Sequence, residues 1–141
     1  MFIYTIGALT YYYKIGTPEK GSIWRTNILE WAGDNDAFAF DPSITYKRER
    51  NHKYDPRMCV DQNDYYIEKC DIAIVNLSDL EKSPGSIYEL VRFKEQKKPV
   101  IAFGKSEIDW SPHINSCISQ KCETLEDVIE LLVNMFDQGN F

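Results

Sequence analysis

Long hydrophobic runs are missing from this 141-residue sequence. No apolar stretch approaches the roughly 18 residues of a membrane-spanning helix, and residues 1–15 lack the charged start and the cleavage site of a signal peptide. Basic runs are short, the longest being Lys47-Arg48-Glu49-Arg50, and the net charge is −6. Because neutralising nucleic-acid phosphates requires a basic face, we expect a cytoplasmic protein that binds neither membranes nor nucleic acid.

Cysteine and histidine are also scarce, which bears on metal binding and redox chemistry. The four cysteines are Cys59, Cys70, Cys117 and Cys122. No pair of them has the C-x-x-C spacing, and two of them lie in apolar contexts, so we expect buried, reduced thiols and no zinc site. The two histidines, His52 and His113, have no partner at metal-site or triad spacing and are assigned no role.

Hydrophobic residues (43%) and charged residues (27%) occur in the proportions of an ordinary globular protein. The length suits a single domain spanning residues 1–141, large enough to bury a core. Short apolar runs predict strands at 1–9, 37–40, 70–77, 99–104 and 114–119. Helical spacing predicts helices at 22–33, at 60–69, from 83 onward and at 124–136, with loops at 11–21 and 43–58. This alternation predicts an α/β three-layer sandwich whose mainly parallel five-stranded sheet has the flavodoxin-like order 2-1-3-4-5.

The stretch 70–77 is a nearly unbroken apolar run, typical of a strand that is buried on both faces. A helix then begins, with Ser83 as its N-cap and a proline in the first helical position. Ligands of such sheets bind beyond the carboxyl ends of the strands, so we expect the functional site in the segment 83–89. The hydroxyls of Ser83 and Ser86 and the open backbone at Gly85 suit an anion such as phosphate, and they equally suit a plain turn and cap.

Glu89 has two interpretations in this helix. As the partner of Ser86, at the spacing of a capping box, it would only stabilise the helix start. If Ser83 is the N-cap instead, Glu89 lies beyond the first turn and points away from the apolar stripe, where it is either solvated or covered by a partner subunit. The residues of that stripe are Ile87, Leu90 and Val91.

Several aromatic residues fall where we expect a covered surface. Tyr88 and Phe93 flank the side of the helix that faces away from the stripe, and Tyr11-Tyr12-Tyr13 lies in a predicted loop. Aromatic residues outside the core are typical of interaction surfaces, so these residues favour a homo-oligomer.

Three residues in the first quarter of the chain could also contribute to a site. Tyr4 is in the middle of the first predicted strand, where a tyrosine is more typical of a core than of catalysis. Gly7 ends that strand, at a point where the backbone comes close to another group. Arg25 follows a tryptophan in the first predicted helix and is either a surface residue or a phosphate ligand.

In combination, four features resemble the nucleoside 2-deoxyribosyltransferase superfamily, which includes the nucleoside 5′-monophosphate N-glycosidases. These features are the first strand with residues 3–7, the pair Trp24-Arg25, the segment 63–71 that leads into the hydrophobic strand, and residues 83–89 followed by 98–101. The similarity covers most of residues 1–104. It implies a small-molecule nucleotide or nucleoside as ligand, no metal or organic cofactor, and a homo-oligomer in which a neighbouring subunit completes the pocket.

The resemblance also implies roles for individual residues. Glu89 matches the nucleophile that attacks the anomeric carbon, and Tyr4 matches the tyrosine that holds this carboxylate and keeps it ionised. Ser83 stands where transferases of free nucleosides carry an aspartate and where the nucleotide hydrolases carry a serine for the 5′-phosphate, which favours a nucleotide as ligand. The residues that would hold ribose and phosphate are Gly7, Arg25, Ser83, Gly85 and Ser86.

The family's second acid, which serves the leaving base, matches Asn63 here. An amide cannot donate a catalytic proton as a carboxylic acid does, so Asp64 or Asp61 would have to replace it. We therefore expect an N-glycosidase or a 2-deoxyribosyltransferase that acts on a nucleoside 5′-monophosphate or a related nucleotide. The alternatives are a catalytically weak or inactive nucleotide-binding protein of the same fold, acting as a sensor or by sequestration, and an interaction protein in which residues 83–89 only start a helix.

Overall fold

The computed structural model describes residues 1–44 and 55–137. Five strands form one sheet in the order β2-β1-β3-β4-β5, and all four neighbouring pairs are parallel. This confirms the predicted fold class. The strands are β1 (Phe2–Ile6), β2 (Phe38–Phe40), β3 (Ile72–Asn76), β4 (Val100–Phe103) and β5 (Gln120–Lys121).

Helices connect the strands and cover both faces of the sheet. In the described part of the chain they are α1 (Thr10–Lys14), α2 (Glu19–Asp34), α3 (Pro56–Lys69), α4 (Pro84–Glu95), α5 (Pro112–Asn115) and α6 (Leu125–Asp137). Two short 3₁₀ helices, Leu80–Lys82 and Glu107–Trp110, precede α4 and α5. Among the described residues, no helix is both long and apolar enough to cross a bilayer.

The core has two halves because successive side chains of a strand point to opposite faces of the sheet. On one face, Tyr4 of β1 and Leu90 of α4 belong to the same hydrophobic cluster. On the other face, Ile3 of β1 packs in a cluster with Ile28 of α2 and Leu132 of α6. Since β3 is buried on both faces, its nearly continuous apolar sequence is explained.

The predicted loop at 11–21 is wrong. Helix α1 occupies part of it, and α2 begins at Glu19, before the predicted start at residue 22. Tyr12 is buried at 3% exposure, and its hydroxyl donates a 2.7 Å hydrogen bond to Asp79 Oδ2. Gly21 is inside α2 because the helix passes close to another backbone segment there, where a Cβ would lie 2.9 Å from the Ala8 oxygen.

Two further boundaries differ from the predictions. Helix α3 begins at Pro56, four residues before the predicted start, because the Asp55 side chain accepts a 2.8 Å hydrogen bond from the Arg57 N–H and caps the helix. The last strand is not at 114–119 but at β5, since Ser111 caps the short helix α5 and turns Ile114 into the core. Residues 45–54 of the predicted 43–58 loop, among them His52, lie outside the described residues.

Helix α4 begins where the sequence predicts, with Ser83 at the N-cap and a proline in the first position. Its buried face differs from the predicted stripe. Leu90 is buried as expected, but Val91 is 42% exposed and Phe93 is fully buried, with its ring centroid 5.6 Å from that of Tyr4. Tyr88 is exposed as predicted, while the homo-oligomer stays a prediction.

The spacing of Thr124 and Asp127 predicts a capping box at the start of the last helix, and the structure contains it. The Thr124 N–H donates to Asp127 Oδ2 at 3.1 Å, and the Asp127 N–H donates to Thr124 Oγ1 at 3.2 Å. Each side chain thereby satisfies a backbone donor of the other residue, which is the reciprocal arrangement of a capping box.

Candidate functional site

The candidate site is built around Glu89, on the second turn of α4, and Tyr4, in the middle of β1. The Tyr4 hydroxyl donates a 3.1 Å hydrogen bond to Glu89 Oε1, which rules out the capping-box interpretation of Glu89. Tyr4 is fully buried, with its ring packed against Phe40 and Phe93. It is therefore both the core residue that its position indicates and a hydrogen-bond donor to the carboxylate.

Burial dominates the electrostatics of this pair. It raises the pKa of Glu89 from an ordinary 4.5 to about 7, while the Tyr4 hydrogen bond and the charge of Arg25 oppose the rise. Burial and the neighbouring Glu89 carboxylate hold the pKa of Tyr4 well above its usual value. At neutral pH, Glu89 thus exists in comparable amounts of acid and carboxylate, and Tyr4 keeps its proton.

Arg25, on α2, is fully buried, which excludes the surface interpretation. Its guanidinium donates to the Gly7 oxygen at 3.0 Å, to Thr5 Oγ1 at 3.3 Å and to the Gly21 oxygen. Asp41, directly after β2, places a carboxylate oxygen 3.6 Å from Arg25 Nε. Burial lowers the pKa of Arg25 to about 10, opposed by nearby carboxylates, Asp41 foremost; the side chain remains a cation at neutral pH.

The start of α4 presents two hydroxyls to the same place. Ser83 Oγ and Ser86 Oγ are 2.7 Å apart, and in the described part of the chain Ser83 makes no side-chain cap of the helix. The first turn, residues 84–87, is uncharged, so the positive end of the helix dipole is not compensated within it. Apart from the neighbouring residues and the backbone of α4 itself, no described atom lies within 4 Å of the position that a Cβ would take at Gly85.

These residues line a cleft at the carboxyl ends of the strands, which we call the first cleft. Its empty volume is about 280 Å³. It is lined by Gly7, Leu9, Thr10, Arg25, Pro42, Ser83, Gly85, Ser86 and Glu89. The structure thus brings together seven of the nine residues predicted for the site, if Tyr4 is included through its bond to Glu89.

A second cleft adjoins the first, and Glu89 and Gly85 line both. Its empty volume, open solvent included, is about 620 Å³. Its lining is largely apolar and comes mainly from α3; it consists of Pro56, Cys59, Val60, Asn63, Gly85, Tyr88 and Glu89.

The two remaining predicted residues, Asn63 and Asp64, are placed differently. Asn63 is buried and lines the second cleft beside Glu89. Within the described residues, Asp64 lines neither cleft. Its two carboxylate oxygens accept hydrogen bonds from the Tyr88 hydroxyl at 3.0 and 2.9 Å, and Arg92 Nε lies 3.6 Å away. Asp61, the other possible acid, is exposed.

Sequence reasoning missed several residues of the site. The sequence predictions assign no role to Asp41, although a carboxylate at the carboxyl end of a parallel strand is itself a signal of a site residue. Tyr88 was assigned to a partner surface and not to the cleft. Leu9, Thr10 and Val60 carry no sequence signal, because only the fold brings them to the cleft.

All four cysteines are free, and three of them are buried. Burial raises the pKa of the Cys70 thiol to about 12. Among the described residues, no group of three or more His, Cys, Asp or Glu side chains is placed to hold a metal ion.

Comparison with known proteins finds the fold again. No protein-family model matches the chain, and no curated protein matches it in sequence. Among solved structures, the chain is similar to the CMP N-glycosidase BcmB of Clostridium botulinum, with a TM-score of 0.62 over 94% of this chain and 97% of that one. The two sequences are 12% identical, so this similarity concerns the fold alone.

Proposed function

We propose that this chain cleaves the N-glycosidic bond of a nucleoside 5′-monophosphate or related nucleotide, as an N-glycosidase or a 2-deoxyribosyltransferase, with Glu89 as the nucleophile. The observation that carries the proposal is the hydrogen bond from buried Tyr4 to Glu89 at the junction of two clefts. The likeness in fold to a CMP N-glycosidase supports it.

The first cleft suits the sugar phosphate. A phosphate at the start of α4 would meet the positive end of the helix dipole, and anions bind readily at such helix starts. The paired hydroxyls of Ser83 and Ser86 can donate to phosphate oxygens without adding negative charge. The buried cation Arg25 lines the same cleft and contributes a fixed positive charge near the phosphate.

The second cleft suits the base. It is largely apolar, which favours a flat heterocycle, and it contains one buried amide, that of Asn63. An amide both donates and accepts hydrogen bonds, so Asn63 can pair with the edge of a base. A nucleotide spanning both clefts would place its anomeric carbon at their junction, beside Glu89.

The chemistry follows from the state of Glu89. The ionised carboxylate attacks the anomeric carbon and forms a glycosyl ester, while the base leaves with the electron pair of the carbon–nitrogen bond and takes up a proton from water. Water, in a hydrolase, or a second base, in a transferase, then attacks the anomeric carbon and releases Glu89 as a carboxylate. Tyr4 orients the carboxylate throughout and is not consumed.

A catalytically inactive nucleotide-binding protein is the second candidate. The position of Asn63 favours it, because an amide lines the cleft where the leaving base would need a proton donor. Asp64, the neighbouring acid, is engaged by Tyr88 and faces Arg92.

Chromatography of the bases released from ribo- and deoxyribonucleoside 5′-monophosphates tests the proposal, with and without added acceptor bases. We expect release by the wild type, loss of release in Glu89→Ala, and wild-type behaviour in Glu95→Gln, a control on the exposed side of the same helix. Formation of new nucleotides that carry the added bases would identify a transferase. Binding of nucleotides without any product would establish the second candidate, and neither binding nor products would refute both.

A further inference from the structure

We infer that Asp64 is a positioning residue that holds Tyr88 as the wall against which the base packs, and that it is not the proton donor for the leaving base. This inference rests on the proposed function and specifies which residues select the base. The observation behind it is that the Tyr88 hydroxyl donates to both oxygens of Asp64, at 3.0 and 2.9 Å.

Tyr88 is placed to contact a ligand. It lines the second cleft next to Glu89 and is 44% exposed, so much of its ring has no cover from its own chain. Stacking of a base on an aromatic ring is favourable for every base, since each has a π-face. A tyrosine ring also has few rotatable bonds, so it loses little entropy on binding once its far end is anchored.

Asp64 supplies that anchor. It lies on α3 while Tyr88 lies on α4, so the contact joins the two helices that border the second cleft. Arg92, one turn after Tyr88 on α4, places its Nε 3.6 Å from the same carboxylate. The charged pair fixes the Asp64 oxygens, and these fix the Tyr88 hydroxyl.

The same geometry argues against proton donation by Asp64. A general acid must come within hydrogen-bond reach of the atom that it protonates. Within the described residues, Asp64 does not line either cleft, and both its oxygens face Tyr88. Asn63, the preceding residue, lines the cleft in its place.

Four variants separate the two roles: Tyr88→Phe, Asp64→Ala, Asp64→Asn and the double variant Tyr88→Phe/Asp64→Ala. If Asp64 positions Tyr88, Tyr88→Phe and Asp64→Ala each raise KM about threefold, the usual effect of losing one exposed hydrogen bond. The double variant has nearly the same KM as either of these single variants, because both changes break the same contact. Asp64→Asn stays close to wild type, since its amide oxygen can still accept from Tyr88, and kcat stays within about twofold throughout.

Proton donation by Asp64 predicts the opposite pattern. Asp64→Asn would then lose kcat as severely as Asp64→Ala, and Tyr88→Phe would change little; that result overturns the inference. Tyr65→Phe and Glu68→Ala, both exposed positions on α3, serve as matched controls and should leave the kinetic constants unchanged. Removing the ring itself, in Tyr88→Ala, should raise KM about tenfold.

Equilibrium binding to Glu89→Gln separates the base from the sugar phosphate. Asp64→Ala and Tyr88→Phe in this background should weaken binding of nucleoside 5′-monophosphates and leave binding of ribose 5-phosphate unchanged, because the latter has no base. An equal loss for both ligands would refute the assignment to the base. If the wild type neither binds nor cleaves any nucleotide, the proposed function fails and this inference with it; if it cleaves nucleotides and the Asp64 and Tyr88 variants match it, only this inference fails.

Discussion

Replacing Glu89 by glutamine should stabilise the protein more at pH 8 than at pH 5. Burial raises the pKa of Glu89 to about 7 in the folded protein, against an ordinary value of 4.5 that the unfolded chain would show. Between these two values the folded state binds more protons than the unfolded state. The free energy of unfolding therefore falls as the pH rises from about 4.5 to about 7, and above that range the destabilisation by Glu89 stays constant.

The expected size follows from the two pKa values. One pKa unit corresponds to about 1.4 kcal/mol, so ionised Glu89 destabilises the fold by about 3 kcal/mol at pH 8 and by about 1 kcal/mol at pH 5. Glutamine has no charge to bury and can still accept the Tyr4 hydrogen bond. The difference in unfolding free energy between Glu89→Gln and wild type should thus grow by about 2.5 kcal/mol from pH 5 to pH 8, an upper figure because Glu89 is only half-buried.

Urea unfolding of both proteins at the two pH values measures this difference. The titration of all other groups cancels when the variant is compared with wild type at each pH. Glu95→Gln, whose side chain is 60% exposed in the wild type, should show no comparable pH dependence. If Glu89→Gln differs from wild type by the same amount at both pH values, the pKa of Glu89 is not raised and the argument from burial is wrong.

Three further measurements test contacts at the candidate site and in α1. The value of kcat/KM should rise with pH up to about 7, where Glu89 becomes ionised. Tyr4→Phe should move this rise to higher pH, because the Tyr4 hydrogen bond lowers the Glu89 pKa. An unchanged pH–rate profile in Tyr4→Phe would contradict a role of this hydrogen bond. Gly85→Ala should raise the unfolding free energy by up to about 1 kcal/mol, because alanine is favoured over glycine inside a helix and no described atom outside the neighbouring residues and the helix backbone lies within 4 Å of the new Cβ. It should also raise KM, because Gly85 lines both clefts; unchanged KM would mean that no ligand passes there. Tyr12→Phe should lower the unfolding free energy by about 1 kcal/mol, the usual value of one hydrogen bond, through loss of the 2.7 Å contact to Asp79, and full stability in urea would show that this contact contributes nothing.

Arg25 is a poor target for a test of function. Its guanidinium satisfies two backbone oxygens and faces the carboxylate of Asp41 in the core. Removing it would leave buried acceptors and a carboxylate without their partner, which is strongly destabilising. Loss of activity in such a variant would therefore report unfolding as readily as a lost phosphate contact, whereas Ser83 and Gly85 lie at the helix start and can be changed with less damage.

The order of strands and the location of the site could be predicted from local patterns. Short apolar runs identify four of the five strands, a serine followed by proline marks the start of α4, and Thr124 with Asp127 marks the cap of α6. These signals involve residues within a few positions of each other, so they are present in the sequence without the fold. The roles of Glu89, Ser83 and Tyr4 come from the resemblance to a family; in the structure Glu89 and Ser83 line the first cleft and Tyr4 contacts Glu89.

The rest was decided by contacts between distant parts of the chain. Phe93 and not Val91 faces the core because α4 is rotated to pack on Tyr4, 89 positions earlier in the sequence than Phe93. Tyr12 lies buried in α1, where its hydroxyl donates a hydrogen bond to Asp79, 67 positions later in the sequence. Helix periodicity limits which residues share a face, but only packing against the sheet selects the face that is buried. Because of this selection, Tyr88 faces Asp64 and Glu89 lies in the cleft.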